Sequence, residues 1–270
     1  MLGAEINGEI KDFYFNPADE SKIYPIFLGN EKSLTLIRHS TAHILAQAVQ
    51  SIYPDTKVTI GPVIEDGFYY DFYTDRNFTE DDLKLFENKM HEILEKNVSF
   101  EKEVINKEKA LEIFSNMGET FKKEIINDLD ESQEISLYKQ GDWFDLCRGP
   151  HLPNSTFIKS FKLLSVAGSY WRGDETRESL QRIYGTAFSS SKDLKKHLKI
   201  LEEAKKRDHR KLGKELNLFH LQEEAVGSVF WHKKGWSIYL EIESYMRRRL
   251  SKTYEEVKTP QVIDRSLWEK

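Results

Sequence analysis

The chain has 270 residues, enough for one large domain or two of ordinary size, and its 39% hydrophobic and 12% aromatic content can build real cores. Charged residues make up 31% with a net charge of -5, which suits a soluble protein and excludes a nucleic-acid binder that is basic overall; any such surface has to be a local patch. One cysteine excludes an intrachain disulfide framework, no apolar run approaches a membrane span, and the start has no signal-type apolar core, so a reducing, cytoplasmic location is expected.

Residues 1–30 read as short strands and turns, with Asn7-Gly8 as a hairpin dipeptide. So short a piece cannot build its own core and must lean on something else. Residues 33–52 read as a helix stopped by Pro54. Leu34, Ile37, Thr41, Ile44, Leu45, Ala48 and Ile52 form its apolar side; His39 and His43, four apart, share a face roughly opposite. "VTIGPVIEDGFYYDFY" predicts a strand, a Gly-Pro turn and an Asp-Gly turn into an aromatic strand. "TEDDLKLFENKMHEILEKN" predicts a helix with a Thr79/Asp82 capping box and a buried stripe of Leu83, Phe86, Met90 and Leu94.

A third helix is expected over 107–116, ended by Gly118, then strand and turn in "SLYKQGDWFDLCRGPHL". "FKLLSVAGSYWRGD" and "LQRIYGTAF" read as sheet strands whose aromatic residues are core material. A long helix is expected from Ser191 to about Leu216 on Leu194, Leu198, Leu201, Leu212 and Leu216. Ten Lys or Arg against four acids over 192–214 read first as a solvated face and second as an RNA contact. A helix over 236–252 and a last strand in "YEEVKTPQVI" complete an α+β pattern.

Chemistry concentrates in four residues. His39 and His43 lack the glutamate that an H-E-x-x-H metalloprotease uses as base. Cys147 and His151, four apart on a turn, can present sulfur and imidazole to one point. The combined set suits a tetrahedral zinc site, and equally a metal-free hydrolytic pocket in which imidazoles move protons near neutral pH. His91 is expected at the edge of its helix stripe, His197 and His209 in solvent, and His220 and His232 have no assigned task.

"RHSTAHILAQAV", "IGPVIEDGFYYDF", "WFDLCRGPHLPN", "AGSYWRGD" and "LQRIYGTAF" together resemble the editing domain of the threonyl-tRNA synthetase family. "AKKRDHRKLGKELNLFHLQEEAVGSVFWHKKGW" resembles the beginning of that family's class II catalytic domain, and "YEEVKTPQVIDRSLWEK" its motif 1. The histidine-cysteine set is shared with alanyl-tRNA synthetase editing domains; the flanking motifs favour threonyl. The resemblance implies a partial ubiquitin-like (TGS-type) piece over 1–30, an editing domain over 31–190 with an antiparallel sheet and packed helices, a linker helix over 191–207 and the start of a catalytic domain over 208–270. It implies catalytic roles for His39, His43, Cys147, His151 and Lys122 (or its neighbour Lys123), and substrate binding by Tyr70 and Asp145.

The implied reaction is hydrolysis of seryl-tRNA(Thr). Serine and threonine differ by one methyl, worth only about 1–3 kcal/mol in binding, so a site built for threonine makes some seryl-tRNA that a second site must remove. Editing would need no cofactor; the family's full-length enzymes use ATP, Mg and a zinc ion whose ligands, with motifs 2 and 3, would fall outside an N-terminal fragment such as this, so ligase activity is not expected from it. Implied partners are tRNA(Thr), aminoacyl-tRNA and a second copy through the motif 1 region. The rival expectations are a zinc-dependent alanyl-type hydrolase, with His39, His43, Cys147 and His151 as ligands, and a non-catalytic dimerising piece.

Overall fold

A computed structural model of the chain describes residues 1–130, 133–260, 262 and 264–268, which fall into two units divided between His197 and Leu198. The class is α+β, as expected.

The first unit is organised around α1 (Ser33–Ile52), a helix buried on more than its expected stripe. Leu36, Ile37, Ala42, Ile44, Leu45, Ala46, Ala48 and Val49 are all inaccessible, which places α1 inside the unit rather than on its surface. One side meets an antiparallel sheet of β4 (Lys57–Val58), β6 (Gly67–Tyr73), β10 (Ser160–Tyr170) and β11 (Ser179–Phe188), in the order β10-β11-β6-β4, with β5 (Val63–Ile64) also paired to β6. Phe68, Tyr70 and Phe72 of β6 and Ile183 of β11 fill the space between sheet and helix. Beside α1 packs α2 (Glu80–Glu95), held by the predicted capping box: Asp82 N donates to Thr79 Oγ1 and Thr79 N to Asp82 Oδ2. Its stripe is Leu83, Phe86, Met90 and Ile93, with Leu94 only half-buried.

A second sheet, β7 (Phe100–Ile105), β8 (Ile135–Gln140) and β9 (Trp143–Leu146), pairs antiparallel in chain order. It shares a small core with α3 (Lys107–Asn116) and α4 (Thr120–Asn127). This sheet also covers the histidine side of α1: Gln140 Nε2 donates to His43 O and to Gln47 Oε1, and Trp143 Nε1 to Gln50 Oε1.

The N-terminal piece is a three-stranded sheet, β1 (Gly3–Ile6), β2 (Glu9–Lys11) and β3 (Ile23–Ile26), in the order β2-β1-β3. Ile6 pairs with Glu9 across Asn7 and Gly8, both at positive φ, the geometry that an Asn-Gly hairpin turn requires. Leu2 and Ile26 join the main core, so the piece does lean on the rest of the unit.

Helix α5 (Ser191–Lys206) runs across the division between the units. The second unit continues with α6 (His209–Glu215), a short hairpin of β12 (Phe219–His220) and β13 (Phe230–Trp231), and α7 (Lys233–Leu250). Two expectations are corrected here. The helix expected over 191–216 is two helices, because Asp208 leaves helical geometry and its side chain accepts from Arg210 N, capping a new start. The expected last strand is irregular over 254–260, with no partner strand; Gln261 and Ile263 lie outside the described residues. Strand β7, helix α4 and the β12–β13 hairpin were not expected at all. No helix among the described residues is long and apolar enough to cross a membrane.

Candidate active site

Helix α1 presents His39 and His43 one turn apart, their rings edge to face at 5.3 Å. The chain after β9 turns beneath them through Cys147, Gly149 and Pro150 to His151. Gly149 sits at φ +75°, and a Cβ there would lie 2.3 Å from the Tyr138 hydroxyl, so no other residue fits. His151 is held between rings: His39 stacks on it at 4.2 Å and Phe100 at 5.3 Å, with His43 and Tyr138 against it as well.

One arrangement of protons satisfies every contact in this cluster. A carbonyl only accepts, so His39 Nδ1 donates to Pro150 O at 3.0 Å and leaves Nε2 as an acceptor. At the other end Leu152 N donates to Ser40 Oγ at 2.9 Å, and in the matching arrangement the Ser40 hydroxyl donates to His151 Nδ1 at 3.2 Å. His151 Nε2 then donates to Cys147 Sγ at 3.4 Å, and the thiol donates to His39 Nε2 at 3.3 Å. Gly149 N also donates to Sγ. Every group in the chain is electrically neutral in this assignment.

Burial favours that neutrality. It lowers His39 below the ordinary imidazole value, against the opposing pull of the Pro150 carbonyl and of Asp145 and Asp12. His43 and His151 are pushed well below theirs, by burial first; a proton on His39 would disfavour a second one on either ring, and the Lys122 cation adds to the effect on His43. Burial pushes the Cys147 thiol up to about 12, with Asp145 and Asp12 adding to the rise.

A second cluster faces the same space. Lys122 of α4 reaches Asp145 Oδ1 at 2.6 Å, both side chains being almost fully buried. Tyr70 of β6 donates to Asp145 Oδ2 at 2.5 Å, and Leu146 N donates to Oδ1 at 2.8 Å. Burial first and the Asp145 charge second raise the Tyr70 hydroxyl well above its ordinary value, so it remains a donor. Gly61 lets the β4–β5 connection pass close over Tyr70: a Cβ there would lie 2.2 Å from the ring. His39, His43, Lys122, Asp145 and Cys147 line one cavity of about 540 Å³, to which the 59–63 segment also contributes.

All seven residues singled out from sequence therefore lie in or beside one cavity. Lys122 is the buried member of its pair; Lys123 is half-exposed. Three further participants were missed. Ser40 lay in plain view inside "RHSTAH". Asp12 and Tyr138 had no local signal, although Tyr138 donates to Asp12 Oδ2 at 2.5 Å directly behind His151. Glu119, a turn before Lys122, is also buried; desolvation raises its carboxyl, and Oε1 accepts from Gln50.

The other histidines lie elsewhere. His91 is exposed at the edge of α2 against the Phe161 ring, and His209 is exposed. His197, expected in solvent, is half-buried against Phe188. His220 and His232 bond to each other at 2.7 Å in the second unit.

One ligand atom from each of His39, His43, Cys147 and His151 lies within 4.8 Å of the other three. Zinc bound by nitrogen at about 2.0 Å and sulfur at about 2.3 Å spaces tetrahedral ligands at roughly 3.5 Å, so the set fits zinc by type and with a small contraction. His43 Nδ1 is buried with no hydrogen-bond partner among the described residues, which leaves a nitrogen free for such use.

Residues 135–184, which carry Asp145, Cys147 and His151, match the family described as threonyl and alanyl tRNA synthetase second additional domain. The chain is 53% identical over 270 residues, all of its length, to threonine--tRNA ligase of Legionella pneumophila (strain Corby). It is 53% identical over 267 residues to that of Rickettsia akari, and 52% identical over 270 residues to that of Ehrlichia canis. The chain spans 42% to 43% of the length of these relatives.

Proposed function

We propose that this chain, whose whole length matches less than half of the threonine--tRNA ligases compared above, carries out an editing reaction: hydrolysis of the ester linking serine to tRNA(Thr). The observation that carries the reading is the meeting of a base-competent imidazole, His39 Nε2, with the Lys122–Asp145–Tyr70 cluster in one cavity.

Ester hydrolysis needs a base for the attacking water, donors for the developing oxyanion, and a proton for the departing ribose oxygen. His39 is kept neutral by burial and its tautomer is set by Pro150, so Nε2 accepts the proton of water. The thiol that now donates to Nε2 does so at 3.3 Å, a weak bond that water can displace. The resulting imidazolium returns its proton to the ribose oxygen. Lys122, fixed by Asp145, points a cation into the cavity for the oxyanion, and Asp145 Oδ2 draws the ammonium of the amino acid. His43 and His151 stay neutral and hold His39 and the substrate in place. With its thiol near 12, Cys147 serves as a hydrogen-bond bridge between His39 and His151 and not as a nucleophile. No step consumes ATP.

The proposed organisation is an editing domain over 31–190, a partial ubiquitin-like piece before it, a linker helix over 191–207 and the start of a class II domain over 208–270. Proposed partners are tRNA(Thr) and a second copy of the chain. Trp236, Ile242, Tyr245, Met246 and Leu250 of α7 are all exposed, so sedimentation should reveal self-association. The proposed setting is the cytoplasm. ATP, Mg and the synthetic-site zinc belong to the ligase reaction of longer proteins in this reading.

A second reading, a zinc-dependent editing hydrolase of the alanyl-tRNA synthetase type, is favoured by the 4.8 Å cluster. Bound zinc would supply Lewis acidity, held by His39, His43, Cys147 and His151. Deacylation assays separate the two. The first reading predicts hydrolysis that survives chelation and falls about 10²- to 10⁴-fold in His39→Ala. Stoichiometric zinc, with activity lost on chelation, selects the second.

A further inference from the structure

We propose that Asp12, in the loop after β2, is a positioning residue for His151, which makes the N-terminal sheet a working part of the hydrolytic pocket; this rests on the hydrolase reading above. One oxygen of Asp12, Oδ2, accepts from the Tyr138 hydroxyl at 2.5 Å and from the His151 backbone N–H at 3.2 Å. It thereby ties β8 to the turn that carries His151. Its other oxygen, Oδ1, accepts from Tyr14 N, which holds the carboxylate in place.

The neighbouring contacts converge on the same imidazole. Tyr138 lies 4.5 Å from the His151 ring. Tyr14 donates to Phe100 O at 3.0 Å and meets Tyr138 edge-on, and Phe100 stacks on His151 with only 5° between the planes. The Asp12 loop therefore braces His151 from behind while His39 and His43 meet it from the front.

The loop is not held by apolar burial of its own, because Phe13 and Phe15 are 49% and 40% exposed. Its polar contacts lead to groups around His151. All three aromatics of the loop are exposed, Tyr14 at 46%, but the Tyr14 hydroxyl is bonded to Phe100 O, next to His151. Without Asp12, the His151 backbone amide loses its acceptor and the 149–151 turn loses its tie to β8. The His151 Nε2–Sγ bond and, through the thiol, the orientation of His39 Nε2 depend on that turn.

The test uses the full chain with Asp12→Ala and Asp12→Asn. For hydrolysis of seryl-tRNA(Thr), Asp12→Ala should lower kcat by about 10- to 100-fold, the scale of an ångström-sized misplacement, with KM nearly unchanged. Asp12→Asn keeps one acceptor oxygen and should recover most of that loss. Asp12→Ala leaves the buried Tyr138 hydroxyl and the His151 amide without their acceptor, so its melting temperature should fall by a few degrees while the chain stays folded at assay temperature, and in 15N-histidine spectra the change should centre on His151. An unchanged kcat in Asp12→Ala overturns the proposal. So does a loss that merely follows the unfolded fraction and is not relieved in Asp12→Asn. If wild type itself leaves seryl-tRNA intact, the hydrolase reading fails separately; the His151 resonances then decide whether Asp12 positions this ring, an unmoved signal in Asp12→Ala refuting it.

Discussion

Asp145→Asn should destabilise the first unit severely. Lys122 and Asp145 are 3% and 2% exposed and meet at 2.6 Å, so the substitution strands an ammonium in the interior. The Tyr70 hydroxyl, 3.5 Å away, is a poor substitute for a carboxylate. Removing one member of a buried pair costs about 3–5 kcal/mol. At roughly 2–4 °C per kcal/mol for a domain of this size, the melting temperature should fall by about 6–20 °C. Attraction across the pair is only part of that cost; most is the desolvation of the group left behind. The triple variant Lys122→Met, Asp145→Leu, Tyr70→Phe removes every polar member and should recover most of the stability while remaining inactive. Circular-dichroism melts with urea titrations measure both. A single variant that loses less than about 1 kcal/mol, or a triple variant no more stable than the single, would refute the burial argument.

Gly61→Ala should push Tyr70 off Asp145, because the new Cβ lies 2.2 Å from its ring; a cost of about 1–3 kcal/mol is expected in a urea titration, together with slower deacylation. The pH profile of deacylation should reach half its plateau below pH 6.5, since burial lowers His39 and a protonated imidazole cannot take the water's proton; a half-point above 7 contradicts this base. Stability should fall as pH drops below about 6.5, because His43 and His151 bind protons there when unfolded but resist them when folded; stability flat between pH 7 and 5 contradicts their burial. Iodoacetamide at pH 7.5 should alkylate Cys147, the one cysteine, about 10³-fold more slowly than a free thiol, read directly by mass; ordinary reactivity would put the thiol well below 12.

Where the cause of a structure is local, the sequence was readable. The spacing of apolar residues in α1, the Thr79/Asp82 box and the Asn7-Gly8 turn each act within a few residues, and each is present. The two halves of the site were legible as residue types at helical and turn spacing. Their meeting was legible only through the family resemblance and not through spacing, since the 3.3 Å approach of His39 to Cys147 joins positions 108 apart. Asp12 and His151, 139 apart, left no pattern at all. Strand β7 was hidden by its charges: Glu101, Lys102 and Glu103 break the apolar alternation. The long basic helix was over-read because its leucine spacing runs on past the point where Asp208 takes a backbone amide and starts α6. In "YEEVKTPQVI" the β-branched residues suggested a strand, but strand propensity yields nothing without a neighbour to pair with.

The most direct measurement is hydrolysis of seryl-tRNA(Thr) and threonyl-tRNA(Thr) by the same preparation of this chain, with its metal content determined alongside. The account predicts release of serine, sparing of threonine, and a rate unchanged when the protein is metal-free. Equal indifference to both esters, or release of serine only by a zinc-loaded protein, would contradict it.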